Sequence, residues 1–356
     1  MKKNLMLGAS LTLFVACSDN SLDQSIVKKY ENTLNTQIKE EQNLTKDFFK
    51  FNDFKCQSDG NFIKCMSPNL EVFDPNHKKI FEIENIEYKS NEIYTGDKKE
   101  LISFQELLNF LLSKNEKLQD EITLKNLKLS DEIIDQINKI HLNKNQKIND
   151  YLKELISNPF TISFKNLNSK KNDENYNYLF SFNVQGNNQL NFNLNINLDY
   201  KSKFLDILDS LGLKYDTNSL SIKNIDENNT SIDNFKSMLP QIQENIIIHD
   251  AKLTLSLDTK EVFKDYIEMA NSILKIAKDQ SKDEKQTLII DKALQALEKI
   301  TQDPTYKLNI EVFFKDIPLS TYPQEQAKII KKITINGIDF TDLTMMFNNS
   351  IYGLPY

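Results

Sequence analysis

Between Asn175 and Tyr200 apolar and polar residues alternate almost without a break, and this stretch limits the possible folds more than any other. Tyr176, Tyr178, Phe180, Phe182 and Val184 alternate with mostly polar residues up to a turn around Gly186-Asn187. Beyond it Leu190, Phe192, Leu194, Ile196, Leu198 and Tyr200 form one face, and Asn191, Asn193, Asn195, Asn197 and Asp199 form the other. A strand rises about 3.4 Å per residue, so the second arm extends about 35 Å, beyond a typical strand. A hairpin greasy on one side only belongs to an antiparallel sheet with one covered and one wet face, not to a parallel sheet buried on both. Asn is a poor strand former. The Asn ladder reads as a solvated face in a chain rich in Asn, Lys and Ile, as an AT-rich genome produces; a polar recognition surface is the alternative.

Other patterns fill in the architecture. Ile26, Val27, Tyr30, Leu34 and Ile38 recur at helical spacing and predict a leading helix that doubles as a stalk. Amphipathic helices are expected from Glu100 to Leu118 and from Ser130 to Ile156, the latter stopped by Asn158-Pro159, with further helices over 204–211, 262–277 and 288–300. Strands are expected over 81–88, 220–225, 246–257, 308–314 and 333–340. Four segments share an apolar alternation interrupted by Asn: Phe81 to Tyr88, Ile122 to Leu129, Leu220 to Ile225 and Ile333 to Phe340. They read as a repeated strand-bend-strand unit whose bends let a long sheet curl. The fold class that follows is α+β: a large curved antiparallel β-sheet with helices packed in or against its concave side.

Composition narrows the function. All forty-four basic residues are Lys against fifty-one acidic ones, a net charge of −7, and the chain has no Trp. Without the guanidinium fork and a positive aromatic groove, nucleic acid is rejected as a partner. Gly60, Gly96, Gly186, Gly212, Gly337 and Gly353 lie far apart, so no Gly-rich phosphate loop exists, and no cofactor is expected. His77, His141 and His249 carry no metal-binding or catalytic spacing, and no Ser sits in a nucleophile elbow. His249-Asp250 fails as a base with its orienting carboxylate, because neighbouring strand residues point to opposite faces. The chain is read as not an enzyme, with no metal.

The N-terminus sets the compartment. Lys2 and Lys3 precede an apolar run from Leu5 to Ala16 that stops at Cys17, followed by Ser18-Asp19-Asn20. This is the layout of a secretory signal, too short to span a bilayer. Phe14-Val15-Ala16-Cys17 resembles the lipobox of bacterial lipoproteins, with Phe14 in place of the usual Leu; Cys17 would be acylated and become the mature N-terminus. Each buried methylene of such chains adds about 0.8 kcal/mol, so several acyl chains tether the protein stably. The outer membrane is the expected site.

In an exported chain the remaining thiols, Cys56 and Cys65, are expected to bridge. A two-residue Gly60-Asn61 turn pairs Asp59 with Phe62, Ser58 with Ile63, Gln57 with Lys64 and Cys56 with Cys65, so the bridge staples a β-hairpin. N-linked glycan acceptors with an acidic residue two before Asn and a hydroxyl two after occur at Asn228, Asn229 and Asn43.

Several stretches resemble the JlpA family of surface-exposed lipoprotein adhesins of Campylobacter. They are the signal with Cys17, the segment Lys28 to Asn35, the segment Asp53 to Asn69 that holds both cysteines, and Ser90 to Gly96. Beyond about residue 100 the likeness is one of length and Asn-rich character. The resemblance implies an outer-membrane lipoprotein that adheres to host epithelial cells, with a host surface chaperone of the Hsp90 class as a type of receptor. It also implies an unclosed half β-barrel with a hydrophobic concave basin and linking helices. The chain then divides into a signal peptide (1–16), a lipidated N-terminus and leading helix (17–50) and a curved-sheet adhesin domain with inserted helices (51–356). The alternative function is an envelope lipoprotein that carries a lipid or other hydrophobic ligand in the basin.

Overall fold

The computed structural model describes residues 22–44, 48–96, 101–139, 146–186, 190–217, 221–224, 232–257, 260–304, 306, 308–314, 316, 318–321 and 330–341. Its elements run α1 (Gln24–Leu44), β1 (Phe49–Phe51), β2 (Lys55–Asp59), β3 (Phe62–Ser67), β4 (Leu70–Phe73), β5 (Lys79–Ser90), β6 (Leu101–Ile102), α2 (Phe104–Lys114), β7 (Lys117–Leu129), α3 (Asp131–Lys139), α4 (Gln146–Ser157), β8 (Phe160–Lys170), β9 (Asn175–Gly186) and β10 (Leu190–Lys201). They continue with α5 (Ser202–Ser210), β11 (Leu213–Asp216), β12 (Ser221–Asn224), α6 (Ile232–Glu244), β13 (Ile246–Leu257), α7 (Lys260–Gln280), α8 (Glu284–Gln302), β14 (Leu308–Phe314), β15 (Ile330–Ile335) and β16 (Ile338–Asp339).

Thirteen strands form one curved sheet, ordered β1-β4-β5-β7-β8-β9-β10-β13-β14-β15-β16, with β3 beside β4 on the edge of β5 and β2 beyond β3. Each pairing is antiparallel, and the sheet is not closed, since β1 and β16 end it without meeting. The fold is α+β as expected. Strands β12, β11 and β6 make a small second sheet. Among the described residues no helix is long and apolar enough to cross a membrane.

The Asn-containing repeat has a physical basis in its second copy. Asn126 sits in β7 at φ 54, opposite the Glu84-Asn85 step of β5, and the β7–β8 register slips between Leu124 and Leu127. A left-handed residue shifts the phase of alternation by one. Leu124 and Leu127, three apart on β7, therefore pack together against the core that holds Ile83 and Ile86 of β5. Asn tolerates this conformation; a β-branched residue does not. Asn126→Val is expected to lower stability by about 1–2 kcal/mol, while Asn126→Gly stays within about 0.5 kcal/mol of the parent; urea denaturation checks both. In the last copy Asn336 (φ 49) and Gly337 (φ 77) form a tight turn joining β15 to β16, so one expected strand over 333–340 is a hairpin. Leu220 and Ile225 lie outside the described residues, and β12 between them joins the small sheet.

The leading helix is not a free stalk. Val27 of α1 is buried with Ile63, Cys65, Ile83 and Ile86, and Ile26, Tyr30, Leu34 and Ile38 pack around them. Asn35 clamps the contact: its side chain accepts from the Phe54 N–H (2.7 Å) and donates to the Phe54 carbonyl (3.1 Å). A second core joins α2 and α5 to the sheet through Leu108, Leu111, Leu118, Tyr176, Tyr200 and Leu205.

Three boundaries differ from expectation. The helix expected over 100–118 begins at Phe104, capped by Ser103, and stops at Lys114, where the Asn115 N–H and side chain both bond to the Leu111 carbonyl. Leu118, seven residues after Leu111, fits helical spacing yet is a core residue of β7. The helix expected over 130–156 is two helices, α3 and α4, with residues 140–145 outside the described set. Strand β8 and helix α6 were not anticipated.

Candidate functional site

Residues two apart on a strand share a face, so the register shows what the sheet presents. Tyr88, Ile122, Phe164, Phe182, Leu194, Leu253 and Ile310 stand side by side across β5, β7, β8, β9, β10, β13 and β14. Helix α1 covers one flank of this face, and α2 with α5 covers the strand ends near Tyr176 and Tyr200. The middle is less covered: Ile122 and Phe164 each remain 36% exposed. The rings there touch, Phe164 to Phe182 at 4.9 Å and Phe182 to Phe192 at 5.9 Å.

One pleat step from this apolar floor the face turns polar. Ile122 is followed by Asp120 on β7, Phe164 by Asn166 and Asn168 on β8, and Phe180 by Tyr178 on β9. The Tyr30 hydroxyl donates to Tyr88 (2.9 Å), that of Tyr178 to Asn166 (2.8 Å), and the Asn168 amide to the Tyr200 hydroxyl (2.6 Å). Asp120 Oδ1 and Asn168 Oδ1 are buried acceptors without a hydrogen-bond partner.

Glu92 completes the cluster. Its carboxyl reaches solvent, yet protein crowds it on most sides, as in a concavity, and the loss of hydration together with the like charge of Asp120 raises its pKa to about 7. Asp120 is raised too, by desolvation, against the lowering effect of hydrogen bonds from Tyr88 and Asn166. Burial lifts the Tyr30 hydroxyl to about 12. A carboxyl whose pKa rises on folding is protonated more readily in the native state. Its stabilising effect is therefore full below the ordinary value of 4.5 and lost as pH climbs through about 7. Melting temperature is expected to fall from about pH 5 to about pH 8, with a shallower slope in Glu92→Gln; solvent screening at Glu92 keeps the effect small.

The opposite face carries the Asn ladder as a hydrogen-bonded network. Asn177 donates to Asn197 (2.8 Å) and Asp199 (2.9 Å), Ser181 donates to Asn195 (2.7 Å), and Asn195 donates to Asn193. His249 belongs to this side. The β10–β13 register slips between Asn197 and Leu198, leaving His249 as the extra residue, so the strict alternation used to separate it from Asp250 does not hold. Its carboxylate partners are not Asp250 but Asp316 (2.6 Å from Nδ1) and Asp199 (2.9 Å from Nε2). Burial opposes charge on the ring, and the two carboxylates outweigh it and raise the pKa.

Of the residues singled out in the sequence, Cys56 and Cys65 are disulfide-bonded in the β2–β3 hairpin, in the anticipated register and with Gly60 at φ 64 in the turn. Asn43 is exposed near the end of α1. Cys17, Asn228, Asn229 and His141 lie outside the described residues. The polar cluster was missed: its members come from residues 30, 88, 92, 120, 166, 168, 178 and 200, and the one local signal was polar Asp120, Asn166 and Asn168 in the apolar phase of their strands.

The fold is thus an open sheet whose apolar face the described helices cover only in part and which ends in a polar cluster. The chain belongs to the JlpA family: the family model described as an adhesin from Campylobacter matches residues 20–352, nearly the whole chain. No curated protein matches it in sequence.

Proposed function

We propose that this protein is an adhesin anchored in the outer membrane through acylated Cys17, displayed on the cell surface, and binding a host epithelial cell-surface protein without chemistry on it. The family match over residues 20–352 is the observation that carries this reading. The lipobox-like tetrad before Cys17 supports the anchor, and the resemblance points to a receptor of the Hsp90 class. Affinity in such a protein comes from a few aromatic anchors and desolvated apolar area. Purified protein should bind cultured epithelial cells saturably and compete with adherence of the bacteria; binding that never saturates, or that leaves adherence untouched, sinks the adhesin reading. If antibody against the surface chaperone leaves binding unchanged, that receptor is excluded while the adhesin stands. Cys17→Ala should move the protein from membrane to soluble fractions, and glycopeptide mass spectrometry tests whether Asn228, Asn229 or Asn43 is modified.

A second reading, a carrier for a hydrophobic ligand, is favoured by Ile122 and Phe164, each 36% exposed on an apolar face that the helices cover only in part. Solvent extraction of the purified protein followed by mass spectrometry tests it, and a reproducibly empty face overturns it.

A further inference from the structure

The apolar floor and the polar cluster lie on one face, one pleat step apart, and together they carry more than the carrier reading on which this inference rests. Asp120 follows Ile122 and Asn166 follows Phe164, each pair about 7 Å apart on the same side of its strand. The floor suits an apolar chain. The other end offers negative charge: Glu92 reaches solvent within electrostatic range of Asp120, whose Oδ1 is buried without a partner. Among the described residues the charge that acts on Glu92 is that of Asp120, of like sign. Tyrosine rings stand beside Asp120: Tyr88 hydrogen-bonds to it, and Tyr30 and Tyr88 are stacked at 6.1 Å between ring centres. Carboxylates among tyrosine rings are the surroundings in which an amine or quaternary ammonium is held by charge and by ring quadrupoles together. An anionic head would meet the like charge of both carboxylates, and a headless hydrocarbon would leave that charge without a counterpart.

We propose that this face binds an amphiphile with a cationic, amine-type head, the apolar chain lying over Ile122, Phe164 and Phe182 and the head seated between Glu92 and Asp120.

Isothermal titration of the purified protein with three amphiphiles of equal chain length, all below their micelle concentrations, tests this: decyltrimethylammonium, decyl sulfate and neutral decyl maltoside. The ammonium is expected to bind at least tenfold more tightly than the sulfate. Glu92→Gln should cut that advantage several-fold and leave the maltoside unchanged, and Phe164→Asp should weaken all three. Both side chains are accessible, so the variants are expected to fold, which circular dichroism verifies; Asp120→Asn gives an independent second test of the head site. Equal binding of all three, or preference for the sulfate, overturns the head-group assignment and leaves the carrier reading intact. If none of the three binds, the carrier reading falls and the assignment with it.

Discussion

Tyr176→Ala is expected to cost about 3–5 kcal/mol, the range for truncating a buried large aromatic side chain. Tyr176 is 1% exposed at the start of β9, its ring lies 5.2 Å from that of Tyr200 on β10, and its hydroxyl donates to Asn109 on α2 (3.3 Å). It sits in the core that seats α2 and α5 on the sheet. Typical domains are stable by about 5–15 kcal/mol, so this one change removes a large share. Tyr176→Phe separates the contributions, since it keeps the ring and loses one hydrogen bond, for about 0.5–1.5 kcal/mol. Urea denaturation measures both, with an unchanged slope expected. A loss under about 1 kcal/mol for the alanine variant would mean that this end of the face is not packed as described.

Opening the Cys56–Cys65 bridge is expected to cost about 2–3 kcal/mol by the entropy of the short loop it closes. The two residues are nine apart in sequence and directly opposed in the β2–β3 ladder. The consequence reaches beyond the hairpin. Glu31 of α1 accepts a hydrogen bond from the Cys56 N–H (2.8 Å), and the Leu22 N–H donates to Ser58 (3.0 Å), so α1 is docked on the stapled strands. Cys65 is fully buried, which makes serine a poor replacement there because its hydroxyl would enter an apolar core. The Cys56→Ala, Cys65→Ala double variant and the reduced parent protein should agree in lost stability and in faster amide exchange along α1. Unchanged exchange in α1 would contradict the coupling.

How far the sequence foretold this structure depends on whether the information was local. The 175–200 hairpin was legible because both of its faces are written in one segment, and the disulfide hairpin because a Gly-Asn turn and two cysteines fix its register. Leu118 misled because seven residues is a helical interval, and the break at Asn115 depends on capping bonds rather than on hydrophobic period. The docking of α1 was hidden for another reason: an amphipathic stripe shows that a helix needs a partner but not which one. His249 defeated the alternation argument through a one-residue bulge. The polar cluster is the most distributed feature, since Tyr30, Glu92, Asp120 and Tyr178 meet only once four strands and a helix are in register. Polar residues in the apolar phase of a strand, as at Asp120 and Asn166, are the trace that such a cluster leaves in a sequence.

The proposed function requires the sheet to be displayed outward on the cell, where a host surface can be gripped. Protease treatment of intact bacteria, followed by immunoblotting for this chain beside a periplasmic control, tests that most directly. The chain is expected to be cleaved while the control stays whole. Survival of the full-length chain under conditions that strip other surface proteins would contradict the adhesin reading.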